Sequence, residues 1–117
     1  MASAESITYG ALKTLAGGRV YPDVAPASPV KPYIVYQSVG GTDETTFDGA
    51  DTLQNSRMQV SVWSISRSEA ANIIQQVRAA LTAEPVRGVP IGAPVSVYED
   101  DTKLYGSQQD FSLWYKE

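Results

Sequence analysis

The sequence has 117 residues, 43% of them hydrophobic and 19% charged, with a formal net charge of −4 from 13 acidic and 9 basic side chains. It contains no Cys and no His, which excludes disulfides, thiolate metal sites and Ser-His-Asp or Cys-His catalysis. The acidic balance argues against gripping a phosphate backbone, because that affinity comes from Lys and Arg displacing counterions.

A chain of this length buries roughly two-thirds of its unfolded surface, so one domain over 1–117 is expected, held without disulfide, metal or cofactor. The N-terminal stretch MASAESITYGALKTLAGG has no basic region followed by a continuous apolar one, and is therefore not read as a secretory signal. Nothing approaches the roughly 18 consecutive apolar residues of a membrane span. A protein soluble in the cytoplasm is expected.

In chain order, the first predicted element is a helix over 4–15. Ser3 can cap it, Glu5 and Ser6 occupy its first turn, and Gly17-Gly18 ends it by supplying left-handed geometry. From Arg19 to Pro32 the prolines exclude a helix or a central strand, so an extended connection is expected. Tyr33–Val39 then reads as a strand with aromatic and β-branched residues on both sides. After Gly40-Gly41, residues 42–55 are polar, either the ends of a long hairpin or a mobile loop. Ser56–Ile65 alternates cleanly, with Met58, Val60 and Val62 opposing Gln59, Ser61 and Trp63.

A second helix is predicted over 67–82. Ser66 and Glu69 have the capping-box spacing, and Ala70, Ile73, Ile74, Val77 and Leu81 make one apolar stripe. Arg87–Pro94 is expected to be a Gly/Pro loop. A C-terminal hairpin within 94–116 closes the chain, its turn at Asp100–Lys103. The predicted fold is α+β: one mainly antiparallel sheet of four to five strands with two helices on one face.

Without His or Cys, paired carboxylates are the simplest remaining catalytic option. Glu99-Asp100-Asp101 is the densest acidic run, but neighbours on a strand point to opposite faces and these flank a turn, so a solvated hairpin tip is the better reading. The run lacks the ladder of an EF-hand, and neither glycine pair fits a phosphate loop. The Tyr and Trp residues are not joined by the basic groove that single-strand nucleic acid binding needs. More informative is the apolar character of both strand faces: Ile34 and Tyr36 oppose Tyr33 and Val35, Trp63 opposes Val60 and Val62, and Trp114 opposes Phe111, Leu113 and Tyr115. Two helices cover one face, so the other is expected to form an interface and the protein to oligomerise.

Several segments occur in a recognisable order: Arg19-Val20-Tyr21-Pro22, Pro32-Tyr33-Ile34-Val35-Tyr36-Gln37, Arg57-Met58-Gln59-Val60-Ser61-Val62-Trp63 and Val77-Arg78-Ala79-Ala80-Leu81. This set, spanning about Leu12 to Leu81, resembles the phage tail-completion family, which is similar to the tail-terminator and tail-to-head joining proteins of long-tailed phages. The resemblance implies a non-enzymatic virion protein. It would form a six-fold ring on the head-proximal end of the tail tube, stop tube growth and offer a surface to the head connector. It further implies self-association in a hexamer, with a monomer when free, and tail tube and connector as partners. DNA would pass through without specific binding, and no membrane would be involved. Its location would be the virion tail, and the bacterial cytoplasm during assembly. The alternatives are a neck or head-completion protein on the other side of the joint, and a small ligand-binding or carboxylate-dependent domain. The expected contact residues are Thr42, Asp43, Glu44, Thr46, Phe47 and Asp48 in the polar segment, with Trp63 and Trp114 on the sheet.

Overall fold

A computed structural model of the chain describes residues 3–41 and 53–116. The first helix, α1 (Ala4–Leu12), carries a complete capping box: Ser3 Oγ accepts from the Ser6 amide and Ser6 Oγ accepts from the Ser3 amide. It is shorter than the predicted 4–15. The Lys13 amide closes on the Tyr9 carbonyl, and the chain then reverses through a turn over Leu15–Gly18 with positive φ at Ala16 and Gly17. Its buried face is Ala4, Thr8 and Leu12, where the Thr8 hydroxyl is satisfied by the Ala4 carbonyl at 2.8 Å.

The proline-rich stretch holds a strand that the sequence reading passed over. β1 (Val20–Pro22) runs parallel to β2 (Tyr33–Ser38), with Val20 opposite Ile34 and Pro22 opposite Tyr36. Proline is tolerable there because β1 is an edge and lacks a neighbour to receive the missing N–H. The Arg19 guanidinium fastens the return of the connection by donating from Nε to the Pro32 carbonyl at 2.8 Å.

β3 (Leu53–Ser64) pairs antiparallel with β2 along its second half and with β5 (Leu104–Lys116) along its whole length. The last residues of the predicted polar segment, from Leu53, therefore belong to a strand. Between the strands, Gly41 allows close approach, since a Cβ there would stand 2.3 Å from the Asn55 carbonyl oxygen. α2 (Arg67–Thr82) coincides with the predicted span and buries the predicted stripe. Its cap differs in one bond. Ser66 Oγ accepts from the Glu69 amide at 3.3 Å, but the Ser66 amide donates to Ser64 Oγ, and Glu69 accepts from the Ser64 hydroxyl at 2.6 Å. Ser64, fully buried at the end of β3, thus takes over the returning half of the box and welds strand to helix.

β4 (Val89–Glu99) corrects the expected Gly/Pro loop at Arg87–Pro94. The strand starts at Val89, and its register against β5 breaks between Ile91 and Val95 around Gly92, whose φ is +71°. Pro90 and Pro94 fit because β4 is the other sheet edge. The step from Ile91 to Val95 sets four residues of β4 against two of β5, and because the excess is even, Val89, Ile91, Val95 and Val97 stay on the same face.

The sheet has the order β1-β2-β3-β5-β4, with one parallel pair and three antiparallel ones, so the α+β reading holds. Ile34, Tyr36, Met58, Val60, Val62, Phe111 and Leu113 project to one side and join Leu12 and the α2 stripe in one core. Both helices pack on that side. Gly88 seats the end of α2 against the start of β4: its amide donates to the Leu81 carbonyl at 2.7 Å. A Cβ at Gly88 would lie 2.8 Å from that carbonyl oxygen and 2.6 Å from Leu113 Cδ2. Backbone cannot yield as a flexible side chain can, so Gly88→Ala is expected to cost about 2–3 kcal/mol, read as a lower denaturant midpoint with unchanged slope.

Candidate assembly surface

The side of the sheet opposite the helices is a surface built from four rungs. Tyr33, Trp63, Gly106 and Val97 form the first; Val35, Ser61, Gln108 and Val95 the second; Gln37, Gln59, Asp110 and Ile91 the third; Arg57, Ser112 and Val89 the fourth. The rungs follow from alternation alone: each strand that sends Val60, Val62 or Phe111 inward must send its neighbours outward.

The first rung is the most ordered. A Cβ at Gly106 would lie 2.7 Å from both Trp63 Cζ3 and Val97 Cγ2, so the Trp63 indole lies across the glycine and meets Val97 beyond it. The ring fills the space that a side chain on β5 would occupy. Beside it Tyr33 packs on Tyr21 with ring centroids 6.3 Å apart. Further along, the surface turns polar. Arg57 Nε donates to Asp110 Oδ2 at 2.6 Å, and Asn55 Nδ2 donates to Ser112 Oγ at 2.8 Å. Exposed apolar side chains then run down the edge strand: Val95 is 58% exposed, Val89 55% and Ile91 36%. Of these three, among the described residues, only Val89 borders a helix, lining an open groove beside α2, so the surface is an exposed apolar strip around a central ion pair.

Trp63 and Trp114, both expected contact residues, lie on this surface but not together. Trp63 stands opposite Gly106 and Trp114 opposite Asn55, eight residues apart along β5 and so separated by about 27 Å. Trp63 is partly covered, whereas Trp114 is 42% exposed. Thr42, Asp43, Glu44, Thr46, Phe47 and Asp48 lie outside the described residues. The strip Val89-Ile91-Val95 was missed by sequence reasoning. Its alternation is present, but Pro90, Gly92 and Pro94 hide it. So was the tilted pair Tyr98 and Tyr105, with centroids 4.9 Å apart and ring planes at 51°, near the hairpin turn.

The acidic run Glu99-Asp100-Asp101 is exposed at that turn, as expected, with the Thr102 hydroxyl donating to Glu99 and Lys103 bonding Asp100. Among the described residues no group of three or more acidic side chains is placed to hold a metal ion. No described helix is long and apolar enough to cross a membrane.

Two tyrosines have raised pKa values. Burial pushes Tyr36 up, helped by the nearby Glu5, Tyr9 and Asp23; burial likewise raises Tyr33, with Glu99 adding to it. A proton held more tightly in the native state stabilises the fold below the unfolded tyrosine pKa, about 10, and that contribution is lost as pH rises through the native value. With no His or Cys to titrate nearer neutrality, the melting temperature is expected to stay level from about pH 6 to pH 9 and to fall above about pH 10. Thermal melts over that range, with Tyr36→Phe flattening part of the alkaline drop, check it.

Fold and surface together define an α+β protein with helices on one sheet face and an open, partly apolar surface on the other. The sequence family described as Tail completion protein gp17 matches residues 7–116, and the chain belongs to that family. Among solved structures it is similar to a chain in the virion of a native gene transfer agent particle, with 15% identity and a TM-score of 0.65 over 98% of this chain and 96% of that one. It is also similar to the gp17 protein of bacteriophage SPP1, with 19% identity and a TM-score of 0.56 over 97% of this chain and 88% of that one. At these identities the likeness is one of fold. No curated protein sequence gives a match.

Proposed function

We propose that the chain is a structural protein that caps the head-proximal end of a long phage tail tube as a ring of copies and prepares it for joining to the head. Family membership supplies the tail-completion role, and one observation carries the rest: the helix-free sheet face presents Val89, Ile91 and Val95 to solvent beside Trp63. Uncovered apolar surface of this kind gains free energy by association. The chain's chemistry is contact, not turnover. Its partners are further copies of itself, the tube protein and the connector on the head. Thr42, Asp43, Glu44, Thr46, Phe47, Asp48, Trp63 and Trp114 are the proposed contact residues. A net charge of −4 suits a ring through which DNA must slide, because like charges avoid phosphate contacts.

Particles made from a genome lacking this gene test the reading. Electron microscopy is expected to show filled heads beside unattached tails of irregular length, and added purified protein is expected to restore joining. Tails of normal length joined to heads in its absence would overturn the proposal.

A further inference from the structure

Two features at opposite ends of β4 are complementary and cannot meet within one chain. At the end of the strand the hairpin projects past β3, presenting Tyr98 and Tyr105, 50% and 37% exposed, under the acidic residues Glu99, Asp100 and Asp101. At its start, an open groove of about 440 Å³ runs between α2 and β4, floored by Ala79, Gly88 and Pro90, with exposed Val89 on one wall and Arg78 on the other. Asp101 and Arg78 make no side-chain hydrogen bond or ion pair among the described residues. The small residues on the floor leave room for aromatic rings, and the cation stands at the rim.

The geometry points to a head-to-tail contact in which the hairpin turn of one copy docks in the α2–β4 groove of the next, the tyrosines against Val89 and Ala79 and Asp101 beside Arg78. The occupant is a second copy of this chain. Charge selects it: the hairpin turn carries three acidic residues against one lysine, while the one charged residue lining the groove is Arg78; Arg67, at the other end of α2, lies beside the hairpin's own Tyr98 and Tyr105. A contact between two different patches of the same molecule is heterologous, and it closes a ring when the rotation between neighbours divides the full turn. The inference rests on the ring reading given above and specifies which surfaces neighbours share.

The absence of cysteine makes the test direct. Asp101→Cys and Arg78→Cys are prepared as separate proteins, mixed in equal amounts, bound to tail ends and oxidised. Covalent dimers containing one of each variant are expected, and neither variant should cross-link alone. A double variant should give a ladder that ends at the closed ring. Charge reversal supplies a second readout: Arg78→Glu and Asp101→Arg should each abolish tail-end binding, and the pair combined should restore it. Rings that form on tail ends without mixed cross-links, or self-linking of Asp101→Cys alone, would overturn the contact while leaving the ring reading intact. Failure of the unmodified protein to form rings on tails would overturn the ring reading, and the contact with it.

Discussion

Phe111→Ala is expected to lower the unfolding free energy by about 4 kcal/mol, in the range typical of a large core aromatic removed without relaxation. Phe111 is fully buried in the middle of β5, paired with Met58 on β3 and with Pro90 on β4. The neighbours that would have to collapse into the void belong to three hydrogen-bonded strands, and strands in a continuous ladder cannot close on one another as loose side chains can. For a chain of this size 1 kcal/mol moves the melting temperature by about 4 °C, so a loss of about 16 °C is the outcome to look for in calorimetry. A shift under about 4 °C would mean that the core refills, and that the helix layer is less firmly placed than its packing implies.

The second large effect is on assembly, with stability nearly untouched. Ile91→Lys combined with Val95→Lys places two charges on the uncovered strip, and both side chains already reach solvent in the isolated chain. A lysine there keeps its ammonium in water in the monomer, but any partner that covers the strip must desolvate it. Joining of heads to tails is expected to fall at least tenfold, while the melting temperature moves by no more than about 3 °C, as exposed substitutions usually allow. A variant that joins normally would remove the strip from the working surface. Trp63→Ala makes a useful comparison, since the sequence leaves open whether it would harm folding or assembly. The structure puts Trp63 on the face away from the helices, over Gly106, so its loss is a loss of surface and not of the main core.

Much of the fold was legible because its signals are periodic. The stripe Ala70 to Leu81 needs only a 3.6-residue repeat, and the inward and outward sets of β2, β3 and β5 need only alternation. Legibility failed where a residue has two uses. Pro22, Pro90 and Pro94 read as loop, yet each sits in an edge strand, where the missing N–H costs no ladder bond. Glu69 has the spacing to return to Ser66, but Ser64, two residues before the cap and at the end of β3, competes for it. The candidate surface was half readable: the alternation shows that two apolar faces exist, but which one the helices cover depends on contacts between elements far apart in sequence. The groove between α2 and β4 depends on Gly88, and nothing local distinguishes that glycine from a loop glycine.

Both borders of the sheet carry proline, at Pro22 on one side and at Pro90 and Pro94 on the other. A sheet so bordered is a poor template for lateral growth, since an added strand would meet interrupted donors on either side. Copies can accumulate in the cell without templating the open-ended ribbons that exposed strand edges invite. In the ring proposed above, growth would be left to faces and turns, whose fixed angles decide how many copies meet before the last finds the first. In the proposed ring the number of subunits would then be a property of the rigid body.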